Sequence, residues 1–350
     1  MEYRRLGRTN LDVSIIGLGT EHYERSRETM DAILGTAAEA GVNYADAVYT
    51  SPDIDAGYWD NFGPALQPYR DKFVLVAHWG PSDRFEPEEA GRHFEQVLEL
   101  LGGYAEIAML TVVDSEETWN EWGQRSLKLL RPLQEQGRIG HIGLSGHNVT
   151  VATTTVNSGL IDVVMVPLNL LPHDEAAVNS LFQACAAQDV GLVAMKPYHG
   201  GALFFREGEP TGITPTHCLA YVFSLPISTA IPGVKNVKEL RTTLHYLEAS
   251  DIEKDYPAIV ASIHDRLAGQ CVYCHHCLPC PQEIQIGWMI WLLDFARGGV
   301  TEDLQNWYAS HCVTASACTE CGECLPRCPY GVEIIDKLRQ AAEIYETGTV

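Results

Sequence analysis

An eightfold alternation of short apolar runs with longer helical stretches, reaching to about residue 248, restricts the fold more than any other feature. The runs are Val13–Gly17, Val42–Ala47, Phe73–Ala77, Ile107–Val112, Ile139–Leu144, Asp162–Pro167, Gly191–Met195 and Ser228–Ile231. Each is rich in Val, Ile or Leu, and most are bounded by Gly, Pro or Asp, which is how strands read. Between them, stretches such as Glu28–Ala40 and Pro87–Leu101 place apolar residues three and four apart, the period of a helix packed on one face. Strands joined through helices run parallel, because parallel neighbours need a crossover. Eight such units in roughly 245 residues predict a closed (β/α)8 barrel of the TIM type, with an open doubly wound sheet as the alternative.

Beyond residue 250 cysteines replace hydrophobic period as the organising feature. Of eleven cysteines, Cys185 and Cys218 lie apart and read as core, while nine fall between Cys271 and Cys328. Clustering of this kind points to metal rather than to disulfides. One run is Cys271-x2-Cys274-x2-Cys277-x2-Cys280-Pro281, the other Cys318-x2-Cys321-x2-Cys324-x3-Cys328-Pro329. The second has the spacing of bacterial two-cluster ferredoxins, and the first differs by one residue. In such pairs the fourth cysteine, before the proline, ligates the other cluster. The runs therefore predict one [4Fe–4S] cluster on Cys271, Cys274, Cys277 and Cys328, and a second on Cys318, Cys321, Cys324 and Cys280. Structural zinc is the alternative, but zinc ligands come as CxxC pairs across a longer gap. Cys312 lies outside the repeat and reads as a buried thiol. The fold class is thus α/β: a TIM barrel over residues 1–250 and a small α-helical ferredoxin-like iron–sulfur domain over 251–350. Within the latter, Ile252–Leu267 reads as a connecting helix, and Trp288–Phe295 and Glu333–Tyr345 as packed helices.

Composition narrows the partners. Lys and Arg number 24 against 46 Asp and Glu, so 24 − 46 gives a formal charge of −22. A chain this acidic repels phosphate backbones, which argues against nucleic acid. Met1–Arg8 carries no apolar run of a secretory signal, and Ile286–Phe295 is too short to span a bilayer. The sequence predicts a cytoplasmic protein without a membrane partner. Two clusters imply single-electron traffic at low potential, oxygen sensitivity and a ferredoxin or flavoprotein as electron donor.

The opening MEYRRLGRTNLDVSIIGLGT, with Gly41–Asp46, Ile139–Ser145, Ile161–Leu171, Ala194–Pro197 and Ala230–Gly233, resembles the aldo-keto reductases. With the cysteine runs, nearly the whole chain resembles the branch of that family with a C-terminal ferredoxin-like domain. The resemblance implies a (β/α)8 barrel and NAD(P)H-linked carbonyl chemistry at the strand ends. It also implies a tetrad of Asp, Tyr, Lys and His, in which Tyr protonates the carbonyl oxygen. Asp46 matches the Asp. Five residues on stands Ser51 rather than Tyr, so Tyr49 or Tyr58 is left to supply the hydroxyl. His78 stands at the Lys position and Thr111 at the His position. The cofactor positions depart as well: Ser145-Gly146-His147 replaces Ser-Asn, and Met165 a Gln. Thr242-Thr243 replaces Glu-Asn and Glu239 an Arg, while Lys235 is left as a phosphate contact.

Barrel active sites lie where strands end. There this chain places His22, Asp46, Tyr49, His78, His147, Tyr198 and His199, a titratable set suited to a small-molecule substrate, a further metal or a redox cofactor. Asp46, Tyr49 and His78 are the expected catalytic residues. His22, Ser145, His147, Tyr198, His199 and Lys235 are the expected cofactor contacts. The function expected is an iron–sulfur oxidoreductase that reduces a small carbonyl or conjugated molecule at this mouth. A nicotinamide-dependent reductase and an electron-transfer subunit are the alternatives.

Overall fold

In the computed structural model the first expected strand divides. Its front part belongs to β2 (Asp12–Ser14), which pairs antiparallel with β1 (Tyr3–Arg5) in a hairpin. The barrel strand proper, β3 (Leu18–Gly19), begins only beyond it. The physical reason lies in Leu6 and Val13. Both are fully buried in one apolar cluster with Tyr44, Val76, Ile107 and Met109, so the hairpin contributes to the barrel's interior core. Burial of that kind stabilises by roughly 1.5–3 kcal/mol per large side chain.

The remaining barrel strands are β4 (Tyr44–Asp46), β5 (Val74–Trp79), β6 (Ala105–Leu110), β7 (Ile139–Ser145), β8 (Val163–Pro167), β9 (Gly191–Met195) and β10 (Thr229–Ile231). From β3 to β10 each pairs parallel with the next in chain order. The ring closes through the bridges Ile16–Ala230 and Gly19–Gly233 and the bond from Gly17 N–H to Ala230 O at 2.8 Å. The sheet is therefore a closed eight-stranded barrel, and the open alternative is excluded. Helices α1 (Arg27–Glu39), α2 (Ala56–Leu66), α3 (Pro87–Leu100), α4 (Gln124–Glu135), α5 (Val149–Asn157), α6 (Glu175–Gln188) and α7 (Pro215–Phe223) connect the strands, and α8 (Val237–Leu244) follows the last of them. Ser26, Asn148, Thr214 and Asn236 start α1, α5, α7 and α8 by accepting backbone N–H groups, the usual N-cap device.

Arg8, in the β1–β2 hairpin, clamps Asp162 (Nε to Oδ1, 2.8 Å) and donates to Ile161 O. Burial raises the Asp162 carboxyl, but His141, Arg8 and the Ile142 N–H outweigh it and hold the group down at about 2. A depressed carboxyl contributes stability that is present above its unfolded value near 4 and lost as pH falls through the folded value. Asp162→Asn is expected to cost about 2 kcal/mol at pH 7 and little near pH 2, read by urea melts at the two pH values.

The described residues are 1–47, 51–53, 55–171, 174–201, 203–206, 209–257, 259, 268–271, 273, 276–296, 299–309 and 313–347. They form two units, the barrel unit (Met1–Leu170, Ala176–Phe205, Gly212–Tyr256) and a second (Leu171–Glu175, Arg206–Thr211, Pro257–Val350). The second unit carries α9 (Ile286–Phe295), α10 (Glu302–Ala309) and α11 (Ile334–Glu346). Tyr345 of α11 stacks on Tyr308 of α10 and donates to Leu292 O of α9, which ties the three together. Of the expected connecting helix, residues 251–254 form turns and 261–267 lie outside the described residues. Among the described residues no helix is long and apolar enough to cross a membrane.

Candidate active site

Strand parity builds the site. Side chains alternate along a strand, so every second residue faces the barrel interior. Tyr44, Val76, Ile107 and Met109 belong to the interior cluster. Two positions further along the same face stand Asp46 after Tyr44, His78 after Val76, and Thr111 after Met109. These three meet. His78 Nε2 lies 3.0 Å from Asp46 Oδ1, and His78 Nδ1 lies 2.7 Å from Thr111 Oγ1. Asp46 and His78 are each 8% exposed.

The hydrogen-bond directions constrain the protons. The Thr111 hydroxyl donates to Met109 O at 3.0 Å, so its oxygen accepts from His78 Nδ1–H. That places a proton on Nδ1 and leaves Nε2 facing Asp46 Oδ1, where a shared proton would bridge the two. Asp46 Oδ2 is buried with no hydrogen-bond partner among the described residues. Tyr44 adds a buried hydroxyl whose acidity is lowered by burial and by the nearby Asp46 charge.

Other expected residues separate. Tyr49 lies outside the described residues. Tyr58 is fully buried, its hydroxyl 2.7 Å from Thr20 Oγ1 and its ring stacked on Phe62, so it packs beneath the surface. Ser145 ends β7, buried. Tyr198 is buried and donates to Thr243 Oγ1 at 3.0 Å; burial pushes its phenol far up, so it works as packing rather than as an open cofactor contact. His22 is exposed, with its ring against Gly233, where a Cβ would meet His22 Cδ2 at 3.0 Å. Lys235 is exposed, and its N–H donates to Glu239. His199 has a left-handed backbone (φ +49) and donates its N–H to Lys196 O. His147 joins Asp114 and Lys196 in a network of its own. Among the described residues no group of three or more His, Cys, Asp or Glu is arranged to hold a metal ion.

Gly146 stands where the family has Asn. A Cβ there would lie 2.6 Å from Val113 O and 2.9 Å from Asp114 Oδ1, so the site has no room for a side chain. Gly146→Asn is expected to lower stability by about 1–3 kcal/mol through overpacking, visible as a reduced melting temperature.

In the second unit the cysteines sort into two groups. Cys271, Cys277 and Cys328 line one narrow cavity with Tyr273, Ile290 and Val332. The Val332 N–H points at Cys328 Sγ at 3.5 Å. Cys324 is buried, and its thiol is pushed up by burial and by the neighbouring Cys318, Cys321 and Cys280. Cys274 and Cys312 lie outside the described residues. Tyr273 and Glu320, each preceding the second cysteine of its run, share a left-handed backbone (φ 54° and 55°). Turns of that type gather backbone N–H groups into anion-binding concavities.

Known proteins give the same picture of the barrel. The model of the aldo/keto reductase family matches residues 15–217. An uncharacterized oxidoreductase of Bacillus subtilis (strain 168), YqkF, is 24% identical over 73% of this chain and 94% of that protein. Pyridoxine 4-dehydrogenase of Escherichia coli (strain K12) is 26% identical over 66% of this chain and 86% of its own length. The aldo-keto reductase AKR11C1 from Bacillus halodurans (holo form) superposes with a TM-score of 0.62 at 19% identity, covering 74% of this chain and 96% of that one. That likeness shows the fold. The family match spans more than half of the sequence and includes the strands that carry Asp46 and His78, so the chain belongs to the aldo/keto reductase family, oxidoreductases built on this barrel.

Proposed function

We propose that this chain is an iron–sulfur oxidoreductase that reduces a small carbonyl or conjugated molecule at the barrel mouth, in a reducing cytoplasm, with a ferredoxin or flavoprotein as electron donor. One observation carries the reading: Cys328 lines a cavity with Cys271 and Cys277, whereas Cys280 joins Cys318 and Cys321 around Cys324. The fourth cysteine of each run thus sits with the other run, the crossing that two cubanes require. A single ion draws its ligands onto one atom, whereas a cubane holds each thiolate on a different iron and needs them further apart. The apolar wall of Ile290 and Val332 and the N–H facing Cys328 suit an anionic cluster. Cys271, Cys274, Cys277 and Cys328 would hold one cluster, and Cys318, Cys321, Cys324 and Cys280 the other. When bound, the clusters supply single electrons at low potential.

The chain's own residues handle protons and position. Reducing a carbonyl to an alcohol takes two electrons and two protons. Asp46 and His78 hold one proton at the end of β5, and Thr111 fixes the imidazole so that Nε2 is the atom that gives or takes it. The pair replaces the Asp–Lys part of the family tetrad with an imidazole, a group that can serve as general acid or base. Anaerobic purification with iron and sulfide analysis tests the proposal: about eight irons per chain are expected. An iron-free chain that is active with NADPH would replace it with the ordinary nicotinamide-linked reductase, a reading that family membership favours.

A further inference from the structure

Lys196 follows β9 directly and was not among the residues expected to act. Its Nζ lies 2.8 Å from His147 Nε2, beyond β7, and His147 Nδ1 lies 3.0 Å from Asp114 Oδ2, beyond β6. Asp114 is held in turn by the backbone N–H groups of His147 and Asn148, and the Asn148 side chain donates to Asp114 O. Burial raises the Asp114 carboxyl, but the bonds from His147 outweigh it and keep the group ionised. An ionised Asp114 places the His147 proton on Nδ1, so Nε2 presents a lone pair to Lys196. The arrangement is that of a nucleophile–His–Asp triad with an amine in place of the hydroxyl.

Two features mark the amine as more than a tie between loops. The lysine is open to solvent, and among the described residues its ammonium has one hydrogen-bond partner, leaving two N–H directions unused. Its backbone is left-handed (φ +54), an uncommon conformation for lysine, and is held by bonds from Asn169 Nδ2 and His199 N–H to its carbonyl. Val112, also left-handed (φ +60), shapes the turn from Thr111 to Asp114 and so links this group to the Asp46–His78 site. Glu21 and Asp114 are the charges that face Lys196. Two carboxylates against one shared proton disfavour a phosphate or carboxylate ligand and leave an uncharged carbonyl compound as the fitting class. Crowding by protein lowers the ammonium below its ordinary value, which raises the share of free amine.

We propose that Lys196 is a nucleophilic amine of the barrel mouth that captures aldehydes or ketones as imines, with His147 as its base and Asp114 as the group that orients His147. The free amine keeps one N–H on His147 Nε2 and turns its lone pair to the carbonyl carbon. As the C–N bond forms, the proton shed by nitrogen passes to His147. His147 delivers it to the alkoxide oxygen, giving the carbinolamine; the second N–H proton then follows by the same route to the hydroxyl as the C–O bond breaks, so that amine plus carbonyl gives imine plus water. No oxidant or reductant takes part, and the step goes beyond the proposed reduction without depending on clusters or nicotinamide.

The test is reductive trapping on the full chain, with propanal and limiting cyanoborohydride at pH 7, read by peptide mass spectrometry. Lys196 is expected to alkylate at least about tenfold faster than the exposed Lys72 and Lys128, a modest share of what a general base contributes. His147→Gln keeps a hydrogen-bonding side chain but cannot take the proton, and should bring Lys196 down to the reference rate with an unchanged melting temperature. Labelling of Lys196 no faster than Lys128 in the native chain overturns the proposal. Fast labelling that survives His147→Gln overturns the role of His147. An iron-free preparation that still traps aldehyde at Lys196 separates this inference from the iron–sulfur reading.

Discussion

His78→Gln is expected to reduce turnover of a small aldehyde by roughly 10²- to 10⁴-fold, the range for losing a positioned acid or base. The iron content of the preparation should stay unchanged. The reason is in the proton geometry. Thr111 commits its own hydrogen to Met109 O, so the proton between His78 Nε2 and Asp46 Oδ1 is the one the pair can exchange. Glutamine fills the space and bonds to Asp46 but exchanges no proton near neutral pH. A plain loss of folding would look different. Removing one member of a buried pair costs about 3–5 kcal/mol, so His78→Ala should also melt earlier, whereas the Gln variant should melt close to the native chain. Native turnover in the folded Gln variant would assign His78 to packing and leave proton delivery elsewhere at the mouth.

Cys328→Ala is expected to remove about half of the bound iron and to unmask distant thiols. Cys271 and Cys277 share its cavity, so these should become alkylatable, while Cys318, Cys321 and Cys324 stay protected although they precede Cys328 in its own run. Cys280→Ala should give the mirror result. Replacing Cys185 or Cys218 should leave iron untouched, because both thiols are buried and pushed well up by that burial. If Cys328→Ala exposes Cys318, Cys321 and Cys324 instead, each run closes on itself and the crossed assignment falls.

Much of the barrel was legible because strand and helix periods are local. Seven of the expected strands lie close to observed ones, since runs such as Gly191–Met195 must be buried on both faces of a parallel sheet. The first strand is the exception. Val13 looks like any strand residue, and only its contact with the barrel interior shows that it belongs to a hairpin. Asp46 and His78 were visible by position, yet their meeting was not, because residues 32 apart in sequence become neighbours only through β4–β5 register. Tyr198 shows the converse: a strand-end position says nothing of the buried Thr243 that accepts its hydroxyl. Lys196 was passed over although it directly follows a predicted strand, and that placement was the available signal.

By itself the sequence determined the periodic frame and the cysteine spacing. Both follow from short-range rules: alternation along a strand, three or four residues along a helix, and two or three between thiolates. Tertiary structure alone decided which titratable groups share protons. By position the strand-end histidines form one titratable set. They divide instead, with His78 on Asp46 and Thr111, His147 on Asp114 and Lys196, and His22 against Gly233. Proton sharing acts over about 3 Å, and in a closed barrel that distance is set by strand register and by the left-handed turns at Val112 and Lys196, not by spacing along the chain.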